Sequence, residues 1–146
     1  MMTGLMPSDL KRWAAWYLRD ALAAYGVDVN VATRTPKTIR YPLAKPLLIV
    51  DELTPTRYDL TQWDQELSVS VRAGTRQNDR ECDDIARLVC GILTDPGICM
   101  ADGSPISSVE TSNGPYPVDD PADVARNYLT VEYHCVGQPM PTPIQQ

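Results

Sequence analysis

Leu10, Trp13, Ala14, Tyr17, Leu18, Ala21 and Leu22 return every three or four residues, and Cys82, Ile85, Ala86, Val89, Ile92 and Leu93 do the same later in the chain. At 3.6 residues per turn each set occupies one side of a helix. Two such stripes commit the chain to a fold in which two rods bury their apolar sides against a common partner. The first is expected over 9–24, with Trp16 beside the stripe, Ser8 after Pro7 as its cap, and Gly26 as the left-handed residue beyond its end. The second is expected to start at Thr75, or at Asn78 with Glu81 in capping-box spacing, and to run to Leu93. DPG at 95–97 stops it.

This second segment, VRAGTRQNDRECDDIARLVCGIL, is dense in charge, yet the stripe leaves Arg80, Glu81, Asp83, Asp84 and Arg87 to solvent. Asp79 and Glu81 suit the helix dipole, and Asp83 with Arg87 forms an i,i+4 pair worth roughly 0.3–0.5 kcal/mol. Cys82, Asp83 and Asp84 do not make a metal site, because neighbours on a helix point about 100° apart. The charges therefore have a structural reading.

The partner layer comes from segments of period two. Val27–Thr33 alternates, Leu47–Val50 is a short apolar run, and Glu66–Ala73 places Leu67, Val69, Val71 and Ala73 on one face and Glu66, Ser68, Ser70 and Arg72 on the other. Ile106–Thr111 and Tyr128–Val136 complete the set, with Leu129, Val131, Tyr133 and Cys135 facing inward. The pattern predicts an α/β (α+β) fold: a mixed or antiparallel sheet of about four to six strands flanked by two main helices. Three stretches fall outside it. TRTPKTIRYPLAKP (33–46) carries three prolines and four basic residues with no acid, TPTRYDLTQWD has turn chemistry with Trp63 expected to pack, and SNGPYPVDDPAD (112–123) reads as an exposed acidic loop.

The 146 residues suit one domain over 1–137, since a chain of this size buries roughly 70% of its unfolded surface, followed by a polar, proline-rich tail over 138–146 that is expected to be mobile in isolation. A net charge of -6 argues against a surface built to grip nucleic acid. The charge is uneven: residues 1–73 hold nine basic and eight acidic side chains, and 74–146 hold four and eleven. Cys82, Cys90, Cys99 and Cys135 show no CxxC spacing and are expected as reduced, mostly buried thiols. Without a secretory signal pattern or an apolar run near the ~20 residues of a membrane span, the expectation is a soluble chain made in a cytoplasm, with no membrane partner.

Catalytic motifs are not legible. The single histidine, His134, falls on the outer face of the last strand without a nucleophile elbow nearby, VDDPAD lacks the spacing of a calcium loop, and the eight glycines form no phosphate cradle. No enzyme, metal or cofactor is expected. The basic segment 33–46 reads as an arm that docks on the acidic half of a neighbouring copy, with Arg34, Lys37, Arg40 and Lys45 as anchors.

The order helix, strand, proline-rich excursion, strand, alternating strand, capped helix, strand, acidic loop, strand, with the phrases LRDALAAYGVDV, LSVSVRAGTRQNDRECDDIARLVCGIL, VETSNGPYPVDD and ARNYLTVEYHCVG, resembles the tail terminator proteins of long-tailed bacteriophages, most of all those of actinobacteriophages. The resemblance runs from residue 9 to about 137. It implies a structural virion protein, assembled in the host bacterial cytoplasm, that closes into a ring, expected to be a hexamer. Such a ring caps the last tail-tube ring, stops polymerisation and offers its other face to the head–tail connector or stopper, while DNA passes through without specific binding. It also implies that 33–46 and 114–124 reach neighbours or the tube, with Tyr116, Asp119 and Asp120 among the contacts, and that Glu66, Ser68, Ser70 and Arg72 lie on a face available for contact. The alternative is another neck or tail component: a stopper, an adaptor or a minor tail protein.

Overall fold

Both stripes are helices in the computed structural model, which describes residues 4–144. In chain order the elements are β1 (Leu5–Met6), α1 (Leu10–Ala24), β2 (Asn30–Ala32), β3 (Leu47–Glu52), β4 (Thr56–Arg57), β5 (Gln62–Ala73), α2 (Arg80–Thr94), a short 3-10 turn (Pro96–Met100), β6 (Ile106–Pro117), β7 (Ala125–Val136) and β8 (Gln138–Pro139). The main sheet runs β2-β3-β5-β7-β6, with β4 also paired to β5, and β1 pairs with β8 in a separate two-stranded ladder. Only β2 with β3 is parallel; the other pairs are antiparallel. The fold is α+β.

Both helices lie on one face of the sheet. Leu10, Ala14, Leu18 and Leu22 of α1 and Cys82, Ile85, Val89 and Leu93 of α2 join Leu48, Val50, Leu67, Val69, Val71, Leu129, Val131 and Tyr133 in a single core. Burying a Leu or Val side chain is worth roughly 1.5–3 kcal/mol, so this layer dominates stability. The alternation of β5 and β7 thus sends odd-numbered residues to the helices and even-numbered ones to the opposite, outer face. Trp63 is buried as expected, with the Arg57 guanidinium 4.8 Å over its ring. An added Cβ at Gly137 would lie 2.3 Å from that ring, so residue 137 has no room for a side chain.

The end of α1 matches expectation. Gly26 has φ +75°, and its N–H donates to the Ala23 carbonyl. The N-terminal caps do not. Ser8 spends its hydroxyl on the Val136 carbonyl at 2.6 Å, which ties the start of α1 to the end of β7, and the residue before the helix, Asp9, makes no capping bond. Before α2, Thr75 accepts from the Asn78 N–H in a preceding turn, Asp79 is the boundary residue, and neither Thr75 nor Asn78 caps the helix. The Asp83–Arg87 pair is replaced by Asp84–Arg87, because Asp83 instead accepts from the Asn127 side chain at 2.8 Å.

Strand bounds also shift. The first is shorter than expected, because the Val27 N–H is taken by the Leu22 carbonyl at the helix exit. β5, β6 and β7 are longer, twelve residues each. Residues 112–117, expected as loop, form the end of β6. Their prolines fit an edge strand, which needs donors on one side only, and Gly114 at φ +89° sits in a register break where an added Cβ would come 2.7 Å from the Tyr128 carbonyl. The first residues of the expected tail, Gln138–Pro139, pair with β1.

Parallel pairing of β2 with β3 gives the 33–46 segment a reason to exist. Parallel neighbours cannot be joined by a tight hairpin; the chain must travel back. A three-residue strand takes roughly 10 Å to retrace, whereas fourteen residues can span up to about 46 Å. The segment has slack.

Candidate interaction surface

The outer face of the sheet carries the side chains that the helices leave free. On β5 and β7 the register sets Asp64 opposite His134, Glu66 opposite Glu132, Ser68 opposite Thr130, Ser70 opposite Tyr128 and Arg72 opposite Arg126. Like charges therefore face each other twice: two carboxylates near one end and two guanidinium groups at the other. Directly opposed like charges on a sheet are unfavourable unless a counter-charge intervenes.

At the arginine end the chain supplies that counter-charge. Asp120 lies 3.5 Å from Arg72 Nε and 3.7 Å from Arg126 Nη1, Arg126 Nε donates to Ser70 Oγ at 3.0 Å, and the Arg76 guanidinium donates to the Asp120 carbonyl. The Asp120 carboxylate also accepts from the Ala122 N–H, and Asp123 accepts from the Arg76 N–H. VDDPAD is thus a staple over the end of the outer face. Arg72 is 7% exposed and its Nε and Nη1 make no hydrogen bond among the described residues, so the ion pair with Asp120 is what balances its charge.

At the other end the described residues hold Asp64, Glu66 and Glu132, all half-buried, the exposed Glu110, and one histidine. His134 Nε2 is 2.8 Å from Asp64 Oδ1, its Nδ1 is 3.0 Å from Glu110 Oε1, and Tyr58 packs against the ring at 4.7 Å. The imidazole bridges β5 and β6 from β7, and it donates to both carboxylates only when doubly protonated. Because the two acids sit on opposite ring nitrogens, they do not converge on one ion. Glu132 accepts from the Thr111 hydroxyl at 3.3 Å. Among the described residues neither Glu66 nor Glu132 meets a Lys or Arg.

The residues expected at an interface fall into three groups. Arg34, Lys37 and Arg40 are exposed and make no ion pair among the described residues, whereas Lys45 pairs with Asp28 at 3.2 Å. Tyr116 and Asp119 are exposed, Tyr116 with its ring edge-on to Tyr128 at 5.8 Å. Ser68, Ser70 and Arg72 are each about 7% exposed and Asp120 is occupied within the chain, so along β5 the open part of the outer face is its acidic end, Glu66 included. The sequence reading missed Arg126, Arg76, Glu132 and Glu110. Alternation placed Glu132 on the outer face, while Arg126 fell before the expected strand; what they oppose depends on register, which alternation leaves open.

Cys82, far from acting with its acidic neighbours, is buried. Its thiol lies 3.3 Å from the Val71 carbonyl and accepts from the Asn127 side chain, and burial pushes it above the usual thiol range. No group of three His, Cys, Asp or Glu is placed to hold a metal ion among the described residues, and no helix there is long and apolar enough to cross a membrane. In comparisons with known proteins, the chain matches no family model and no curated sequence.

Proposed function

We propose that this chain is a tail terminator of a long-tailed bacteriophage: a structural subunit that closes into a ring, expected to be a hexamer, on the last ring of the tail tube. There it stops polymerisation and presents its opposite face to the head–tail connector or stopper. Its place is the virion neck, after assembly in the host bacterial cytoplasm.

The observation that carries the reading is an outer sheet face, opposite both helices, whose like-charged pairs are balanced at one end and not at the other. That asymmetry suits a heterologous contact, in which different patches of identical subunits meet and rotation closes a ring. Two further features support it. The exposed basic segment 33–46 gives such a contact a second, opposite patch, and the net charge of -6 disfavours adhesion of DNA moving through a channel. The element order and the quoted phrases supply the choice of family.

The test is functional. Purified chain is added to polymerising tube subunits and tube lengths are measured by electron microscopy. Tubes that stop growing, each with one capped end, are expected. An unchanged length distribution and bare ends would overturn the reading.

A further inference from the structure

The carboxylate end of the outer face poses the problem that the arginine end has already solved. Glu66 and Glu132 stand opposite each other across β5 and β7, with Asp64 and Glu110 beside them, and among the described residues the one basic group paired with any of these acids is the His134 imidazole. At the arginine end Asp120 comes down from the loop between β6 and β7 and neutralises the pair. No loop of the described residues brings a Lys or Arg to the glutamates. Yet the chain holds unused cations: Arg34, Lys37 and Arg40 are exposed and unpaired among the described residues.

We infer that the acidic end of the outer face, centred on Glu66 and Glu132, receives the 33–46 segment of a second copy of this chain. The inference rests on the ring reading above and names the contact that would build the ring.

Three observations carry it. The first is the fit of spacing. Arg34, Lys37 and Arg40 recur every third residue in a proline-bearing segment outside helix and sheet. An extended polyproline-type conformation has that period, at about 9 Å a turn; the segment bends at Arg34 and Lys37 in the single chain, and straightening on docking would bring the three cations to one side. From Glu66 on β5 across β7 to β6, which carries Glu110, is two strand spacings, roughly 10 Å.

The second is topology. The segment leaves from β2, one edge of the sheet, while the acids sit on β5, β7 and β6, which reach to the other edge. Within one chain β3 separates them. A contact from the β2 side of one copy to the β6 side of the next is head-to-tail by construction, and it repeats from subunit to subunit. The third is the rim. Tyr58, 47% exposed and packed on His134, puts apolar surface beside the carboxylates, which would exclude water around the charges on docking.

The experiment is a charge swap read by sedimentation velocity at low salt, with circular dichroism confirming the fold of each variant. The arm variant is R34E/K37E/R40E; the face variant is E66K/E132K, which keeps a like-charged pair at the same positions. Each alone is expected to weaken association at least tenfold, because like charges then meet at the contact. Combining all five in one chain should restore it, since the charges are complementary again. Wild-type-like association of either single variant overturns the contact, and so does failure of the combined variant to recover. If the face variant does not fold, the arm variant decides alone, because its three side chains are exposed. A wild-type ring that ignores all the substitutions overturns this contact and leaves the ring reading standing. A wild-type chain that is monomeric at every concentration overturns both.

Discussion

The hydroxyl of Tyr133, in the middle of the sheet on β7, donates to the carbonyl of Leu93 in the last turn of α2 at 2.5 Å. The last four carbonyls of a helix lack partners within it, and this one is buried, where water cannot substitute. Burial also drives the phenol far above its usual range, so the group stays a donor. Thr94 makes a similar bond back to the Cys90 carbonyl. The strand side chain thereby fixes where the helix ends. Tyr133→Phe should cost about 1–2 kcal/mol, since the ring still fills its space but the carbonyl is left unsatisfied. A calorimetric melting midpoint equal to that of the wild type would show that the carbonyl finds another donor.

Among the described residues Asp120 is the single carboxylate that balances Arg72 and Arg126. Removing one partner from a buried charge group leaves the other uncompensated, which typically costs about 3–5 kcal/mol. Asp120→Ala should fall near the lower figure, because Arg126 is partly exposed and can turn to solvent. The loop over 118–124 should also become open to proteolysis, as it loses the side chain that holds it down. Wild-type stability together with wild-type resistance to cleavage would mean that the arginines are balanced by something else.

The two helices, the strand faces and the single core were legible from periodicity, because burying an apolar stripe leaves few alternatives. What escaped depended on single long-range bonds. Ser8 has the residue type and position of a helix cap, yet the carbonyl of Val136 claims its hydroxyl. Asp83 has the spacing to pair with Arg87, yet Asn127 reaches it from the sheet. Residues 112–117 look like loop because prolines are costly in a ladder, but an edge strand has one side without bonds. The outer face was legible as polar; that it carries opposed like charges followed only once β5 and β7 were in register. Arg72 shows the cost of stopping at alternation. It reads as a free cation and is instead buried with Asp120.

Glu52 offers a pH-dependent check of the packing. It lies partly buried at the end of β3, and burial raises its carboxyl above the ordinary range, partly offset by a hydrogen bond from Gln65. A carboxyl whose folded value is raised favours folding most when protonated. Its contribution is present at low pH and is lost as the pH rises through the folded value. Glu52→Gln mimics the protonated form at every pH. The variant should match the wild type below roughly pH 4, where carboxyls are protonated in both states, and melt slightly higher at pH 7. A variant that melts lower at pH 7 would show that the charged form is the stabilising one, through Lys11 or another cation.

The four cysteines should divide into two pairs by reactivity. Cys82 and Cys135 are fully buried, and burial raises both thiols, that of Cys135 to about 12. The thiolate is the nucleophile, so a raised thiol without access is doubly protected and can react only when the core opens. Cys90 and Cys99 are half-buried at the end of α2 and in the 3-10 turn, where a reagent reaches them without unfolding. Treating the native protein with a small maleimide should therefore add two labels quickly, and four in denaturant, as counted by intact mass. Peptide mapping should place the early labels at Cys90 and Cys99. Rapid labelling of Cys82 would mean that α2 leaves the sheet easily, and the core on which the outer face depends would then be less tightly closed than its packing implies.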